Sequence, residues 1–202
     1  MTSVSARLRG RGVAAEARLS SYAVAIAFAL ALSACASATS QTFDLSATSA
    51  TARGLNAKLT IAATASVDLD SNRIVVRTGA DSLAYLAGGK WSERLPALVR
   101  KRLDETFQNV KTSRPAPKDN GPAPDYGLEV DIRAFELDIS QQQAVVEISA
   151  RLISTAGGVI AEKAFKATAP AKGDSGEAAA AALDVALAKV MKQIVGFVAG
   201  KV

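Results

Sequence analysis

The chain has 202 residues, with 24 Lys and Arg against 19 Asp and Glu, one cysteine and no histidine. The missing imidazole excludes the commonest general base, the commonest metal ligand and every Ser-His arrangement. A single cysteine excludes a disulfide within the chain.

Residues 1–34 read as a targeting segment, because Arg7, Arg9, Arg11 and Arg18 precede an uncharged run from Tyr22 to Leu32. That run is shorter than the roughly 20 residues a helix needs to cross a bilayer, so it reads as a signal h-region. Leu32-Ser33-Ala34-Cys35 follows and resembles the bacterial lipobox, the recognition sequence of signal peptidase II. The resemblance implies cleavage before Cys35 and a thioether-linked diacyl or triacyl anchor of the palmitate type. Two or three chains hold a protein at a bilayer far more firmly than one. Ala36, where aspartate would signal retention, implies the outer membrane of a Gram-negative cell, with the protein facing the periplasm. The alternative is a buried free thiol or half of a disulfide, but the chain offers no second cysteine.

Cleavage removes a net three of the five positive charges. The nearly balanced remainder gives no basic footprint for nucleic acid.

From Cys35 to Asn56 the sequence is rich in Ala, Ser and Thr and reads as a flexible tether, with Thr42-Phe43-Asp44-Leu45 as a short edge strand. Residues 57–202 are expected to form one domain. Ala57–Ala65 and Arg73–Arg77 read as strands, and Ser82–Leu86 pairs back on the second of these before Gly88-Gly89 ends it. A helix follows, capped by Ser92 and carrying Pro96 in its first turn, with Leu95, Leu98, Val99, Leu103, Phe107 and Val110 on one face. Arg100, Lys101 and Arg102 read as its solvated face, with Asp104 and Glu105 four residues beyond the first two.

Residues 113–124, rich in proline, form a loop. Tyr126, Leu128, Val130 and Ile132 then alternate with polar residues, whereas Phe135, Leu137 and Ile139 are apolar on the opposite phase. That slip predicts a β-bulge near Arg133–Phe135, unless one strand ends there and another begins. Ala144–Ile153 and Val159–Thr168 complete a meander, the latter as a charged edge strand ending at Pro170. A helix from Ser175 to Phe197, capped by Asp174 or Ser175, buries Leu183, Leu187, Val190, Met191, Ile194 and Val198. The order gives an α+β single domain, a mostly antiparallel sheet with two helices on one face.

No catalytic residue, metal ligand or cofactor is expected. Ser175 in Gly173-Asp174-Ser175-Gly176 reads as a helix cap, Asp68 and Asp70 as a solvated turn, and no phosphate-cradling glycine motif occurs.

The segments Arg73–Arg77, Leu83–Leu86 and Trp91–Pro96, then Leu103, Phe107, the Tyr126–Ile139 strand, Val145–Ile148 and the terminal helix, resemble the ABC-type transport auxiliary lipoproteins. The resemblance implies a non-enzymatic outer-membrane component of a Mce-type lipid transport system. It also implies a Mce-domain periplasmic protein and its ABC permease and ATPase as partners. Around Phe43 the sequence departs from the family, which more often has a tyrosine and a nearby proline. Arg73, Arg77, Tyr85 and Trp91 are the residues expected to touch the partner, since aromatics and arginine are enriched at interface hot spots. The alternative for Tyr85 and Trp91 is that they close the core beneath the first helix. A homo-oligomer stays open, as does a carrier that holds lipid between helices and sheet.

Overall fold

A computed structural model describes residues 40–52, 55, 57–110 and 125–202. Cys35, with Leu32, Ser33 and Ala34, and the proline-rich loop at 113–124 lie outside the described residues.

Seven strands, β1 (Gln41–Phe43), β2 (Leu59–Ala65), β3 (Arg73–Gly79), β4 (Ser82–Trp91), β5 (Tyr126–Asp138), β6 (Gln143–Ser154) and β7 (Val159–Pro170), form one sheet in the order β1-β4-β3-β5-β6-β7. β2 also pairs with β5. Among the described residues two helices, α1 (Leu95–Gln108) and α2 (Gly176–Ala199), complete an α+β domain. Among the described residues no helix is long and apolar enough to cross a membrane.

The β3–β4 hairpin and the β5-β6-β7 meander are antiparallel, as their short connections require. β1 on β4, and β2 and β3 on β5, run parallel, so the sheet is mixed. β2 and β3 share one edge of β5 end to end, β2 opposite Tyr126–Ile132 and β3 opposite Glu136–Asp138. The β5–β6 register slips by one between Ile132 and Ala134, where β2 stops and β3 takes over. Arg133 is the extra residue of the bulge that the sequence phase predicts, and it returns Phe135 and Leu137 to the buried face.

That face carries Ile61, Leu128, Val130, Ile132, Phe135, Val146, Ile148 and Leu152, and both helices pack into the same core. The opposite face is polar, with Arg151 between Glu129 (3.7 Å) and Glu162 (3.1 Å), and Lys166 beside Glu147 (3.4 Å). α2 buries the whole stripe read from its spacing and begins with the Ser175 hydroxyl accepting the Ala178 N–H at 3.2 Å.

Three local expectations change. α1 starts after Arg94, not Ser92, because the Leu95 N–H is held by the Ser71 carbonyl at 2.9 Å and the Ser92 N–H by the Phe43 carbonyl at 2.7 Å. β4 does not end at Gly88-Gly89. It loops out there, with Gly88 at φ +75°, and resumes to Trp91 because β1 supplies a new pairing edge. The described part of the segment read as a tether is packed: it forms β1 and buries Leu45, Ala50 and Ala52, so the body begins upstream of residue 57.

Candidate functional site: the β3–β4 hairpin and its surroundings

β3 and β4 bring together Arg73, Arg77 and Tyr85, three of the four residues expected at an interface. The Arg73 guanidinium carbon lies 3.6 Å from the centre of the Tyr85 ring. Arg73 is exposed and Tyr85 half-buried, and the Tyr85 hydroxyl donates to the Asp68 carbonyl at 3.3 Å. The result is a planar cation on an aromatic face, open to an incoming carboxylate or ring. Leu83, 45% exposed, projects from the same hairpin.

Arg77 is engaged within the chain. Its Nε and Nη2 donate to the two oxygens of Glu136 at 2.6 and 3.1 Å, and its Nη1 donates to the Ala80 carbonyl at 2.8 Å. Glu136 is only 6% exposed, so this fork braces β3 against β5 and satisfies a carboxylate that the sheet has taken from water. Hydrogen bonding to Glu136 and its charge raise the Arg77 pKa. Next to it, the Ser140 hydroxyl and then the Gln141 N–H hold the Asp138 carboxyl below its usual range.

Trp91 is not a surface contact. It is 1% exposed, and its ring meets Phe135 edge to face at 5.7 Å, so it closes the core at the end of β4.

One group of polar residues was not foreseen. After β1 the chain runs across the helices as a strap. Asp44 pairs with Arg102 at 2.6 Å and accepts from Ser92 at 3.3 Å, the Ser46 N–H reaches Asp184 at 2.7 Å, and the Thr48 N–H reaches the Thr106 hydroxyl at 3.2 Å. Burial pushes the Asp44 carboxyl up, but the hydrogen bonds from Arg102, Leu45 and Ser92 and the Arg102 charge outweigh it and leave it lowered. Arg102, expected on the solvated face, is mostly covered and also pairs with Glu105 at 2.6 Å, while Lys101 turns to Glu93 at 3.3 Å. The foreseen Arg100–Asp104 pair forms at 3.2 Å.

Among the described residues, Leu98, Leu103, Leu183, Leu187 and Ile194 of the helices are buried in one core with Leu128, Val146 and Ile148 of the sheet. Among the same residues, open depressions lie at the surface. One of about 410 Å³ runs beside Ala63, Arg94 and Arg100, and one of about 450 Å³ lies between β7 and α2. Among the described residues no three His, Cys, Asp or Glu side chains stand together as a metal-holding group.

Comparison with known proteins adds a family and a fold. A family described as the ABC-type transport auxiliary lipoprotein component matches residues 43–195. An uncharacterized protein of Bradyrhizobium diazoefficiens is 31% identical over 151 residues, which are 72% of this chain. The match spans only 40% of the length of that curated relative. A crystal structure of a Xanthomonas campestris protein superposes with a TM-score of 0.68 at 24% identity, covering 80% of this chain and 96% of that one. A second crystal structure, of an uncharacterized protein, gives 0.58 at 15% identity, covering 78% and 97%. Both share the fold.

Proposed function

Because the chain belongs to the ABC-type transport auxiliary lipoprotein family, we propose that it is a non-enzymatic lipoprotein of the outer membrane. In this reading it is held by acyl chains on Cys35, faces the periplasm, and docks to a Mce-domain protein fed by an ABC permease and ATPase, so that lipid passes between membranes. The match over residues 43–195, nearly all of the packed body, carries the reading. The lipobox-like Leu32-Ser33-Ala34-Cys35 supports the anchor. The Arg73–Tyr85 stack and the exposed Leu83 supply a contact surface of the composition protein interfaces favour. The single apolar core into which both helices and the sheet pack favours docking over a carrier that encloses lipid.

Three measurements test it. Intact mass of the mature polypeptide is expected to show cleavage before Cys35 and acyl chains on its sulfur, and Cys35→Ser to abolish both. A photoreactive side chain at Leu83 is expected to crosslink a Mce-domain protein in intact cells, and deletion of the protein to impair outer-membrane lipid asymmetry. An unmodified sulfur would sink the anchor, and crosslinks that never include a Mce-domain protein would sink the docking.

A further inference from the structure

β7 bounds one side of the sheet, and ladder geometry fixes what its outer edge presents. The Ala171 N–H donates to the Gln142 carbonyl at 2.8 Å, which makes those two a hydrogen-bonded pair. Counting by twos along the β6–β7 register, Thr168, Lys166, Ala164 and Glu162 fall in the alternate pairs, whose N–H and C=O point away from β6. Pro170, with no N–H to offer, belongs to the same outward set. One outward group is taken: Lys189 Nζ donates to the Thr168 carbonyl at 2.7 Å, an independent sign of the direction.

From Lys166 back to Lys163 the edge lies beside a groove of about 450 Å³ that separates it from α2. Phe165 and Phe197, edge to face at 5.5 Å, line it, with Lys163 from β7 and Gly196 from the helix, whereas the Lys166 side chain at its border lies with Glu147 on the polar face of the sheet. A β-carbon added to Gly196 would meet nothing within 4 Å, so there is room on that side. The charge around the groove is lopsided. Lys163 Nζ rests 5.5 Å from the Phe165 ring centre, Lys166 shares Glu147 at 3.4 Å, and Lys192 lies exposed one helical turn before Gly196. The nearby Glu162 is held by Arg151 at 3.1 Å.

We propose that this edge accepts an extended segment of a partner protein as an added strand, with apolar side chains toward Phe165 and Phe197 on the helix side, flanked there by an acidic one beside Lys163 and Lys192, and with acidic ones on the opposite face beside Lys166. Main-chain hydrogen bonds to Ala164 and Lys166 give the affinity, and the lysines select the charge. The proposal goes beyond the docking reading and does not depend on which protein supplies the strand.

The full mature chain, used as bait for a displayed library of short random peptides, tests it. Selected peptides are expected to alternate apolar and acidic residues and to slow amide exchange at Ala164 and Lys166. Lys163→Glu and Gly196→Leu are each expected to weaken them by about tenfold or more. Gly196→Leu fills open space and favours the helix, so the fold survives it. Ala164→Pro removes an outward N–H while leaving the β6 ladder whole, and is expected to cause the same loss. Selection of no peptide, or of peptides without acidic residues, overturns the proposal. So does binding that leaves those two amides unprotected or survives Gly196→Leu, protection of them by self-association, or binding of phosphatidylglycerol vesicles in place of peptides. Each of these outcomes leaves the Cys35 mass and the Mce crosslink untouched, so the two readings fail separately.

Discussion

Gly89 and Gly176 stand back to back: a β-carbon on Gly89 would lie 3.4 Å from the Cα of Gly176, and one on Gly176 would lie 3.5 Å from the Cα of Gly89. The ring of Phe43 fills the remaining space, 3.1 and 3.0 Å from those two positions. β4, the start of α2 and β1 are therefore locked at one point, where only the absence of side chains lets them meet. Gly89→Val is expected to expel Phe43, detach β1 and cost about 1–3 kcal/mol in urea unfolding. Phe43→Ala is expected to absorb part of that cost in the double variant, because the two substitutions act on one contact.

Trp91 is the chain's sole tryptophan, so its burial against Phe135 makes it a reporter of the core. Emission is expected to be blue-shifted in the native protein and to move red in a single transition with loss of helical circular dichroism. Trp91→Ala is expected to cost about 3–5 kcal/mol. A small loss of stability together with a large loss of partner binding would restore the interface role.

Removing Arg77 leaves the Glu136 carboxylate in the sheet without its fork. Arg77→Ala is expected to destabilise by about 2–3 kcal/mol, and the double variant with Glu136→Ala by less than the two single changes together. Arg73→Ala, which strips an exposed stack, is expected to lie within about 1 kcal/mol of the parent in stability. Its effect should fall on crosslinking through Leu83. Equal losses for the two arginines in denaturant titrations would refute the distinction.

The Asp44 carboxyl has a lower pKa in the folded chain than its ordinary value near 4. Its contribution is therefore present above that ordinary value and is lost as pH falls through the folded one. Asp44 is more than half exposed, so water screens the pair and the effect is expected to stay below about 1 kcal/mol. Protection of the amides in residues 41–48, taken relative to their intrinsic exchange rate at each pH, is expected to fall selectively below about pH 4. Asp44→Asn is expected to show the lower protection at neutral pH, with its acid dependence reduced. Protection that is independent of pH in the parent would show that the strap does not rely on this carboxylate.

What the sequence revealed was whatever has a local period. The phase slip at Arg133, the stripe of α2 from Leu183 to Val198, the Ser175 cap and the charged edge of β7 all follow from neighbours a few residues apart. The parallel pairings leave no such trace, since β2 meets β5 across α1 and the 113–124 segment. The edge strand read at Thr42–Leu45 does appear, as β1, but the small residues that follow it imitate a tether while fitting close against α1 and α2. The site was half legible for the same reason. Arg73 and Tyr85 meet across one hairpin, whereas the burial of Trp91 and the engagement of Arg77 both depend on β5, which arrives later in the chain and runs parallel to β3.

Since the packed body begins at Gln41, with β1, an acylated Cys35 would have a short leash. Six residue steps at full stretch reach only about 20 Å, so the body could not stray far from its bilayer. In the proposed reading a docking protein would then have to bring its own reach across the periplasm, and this chain would offer it a fixed berth.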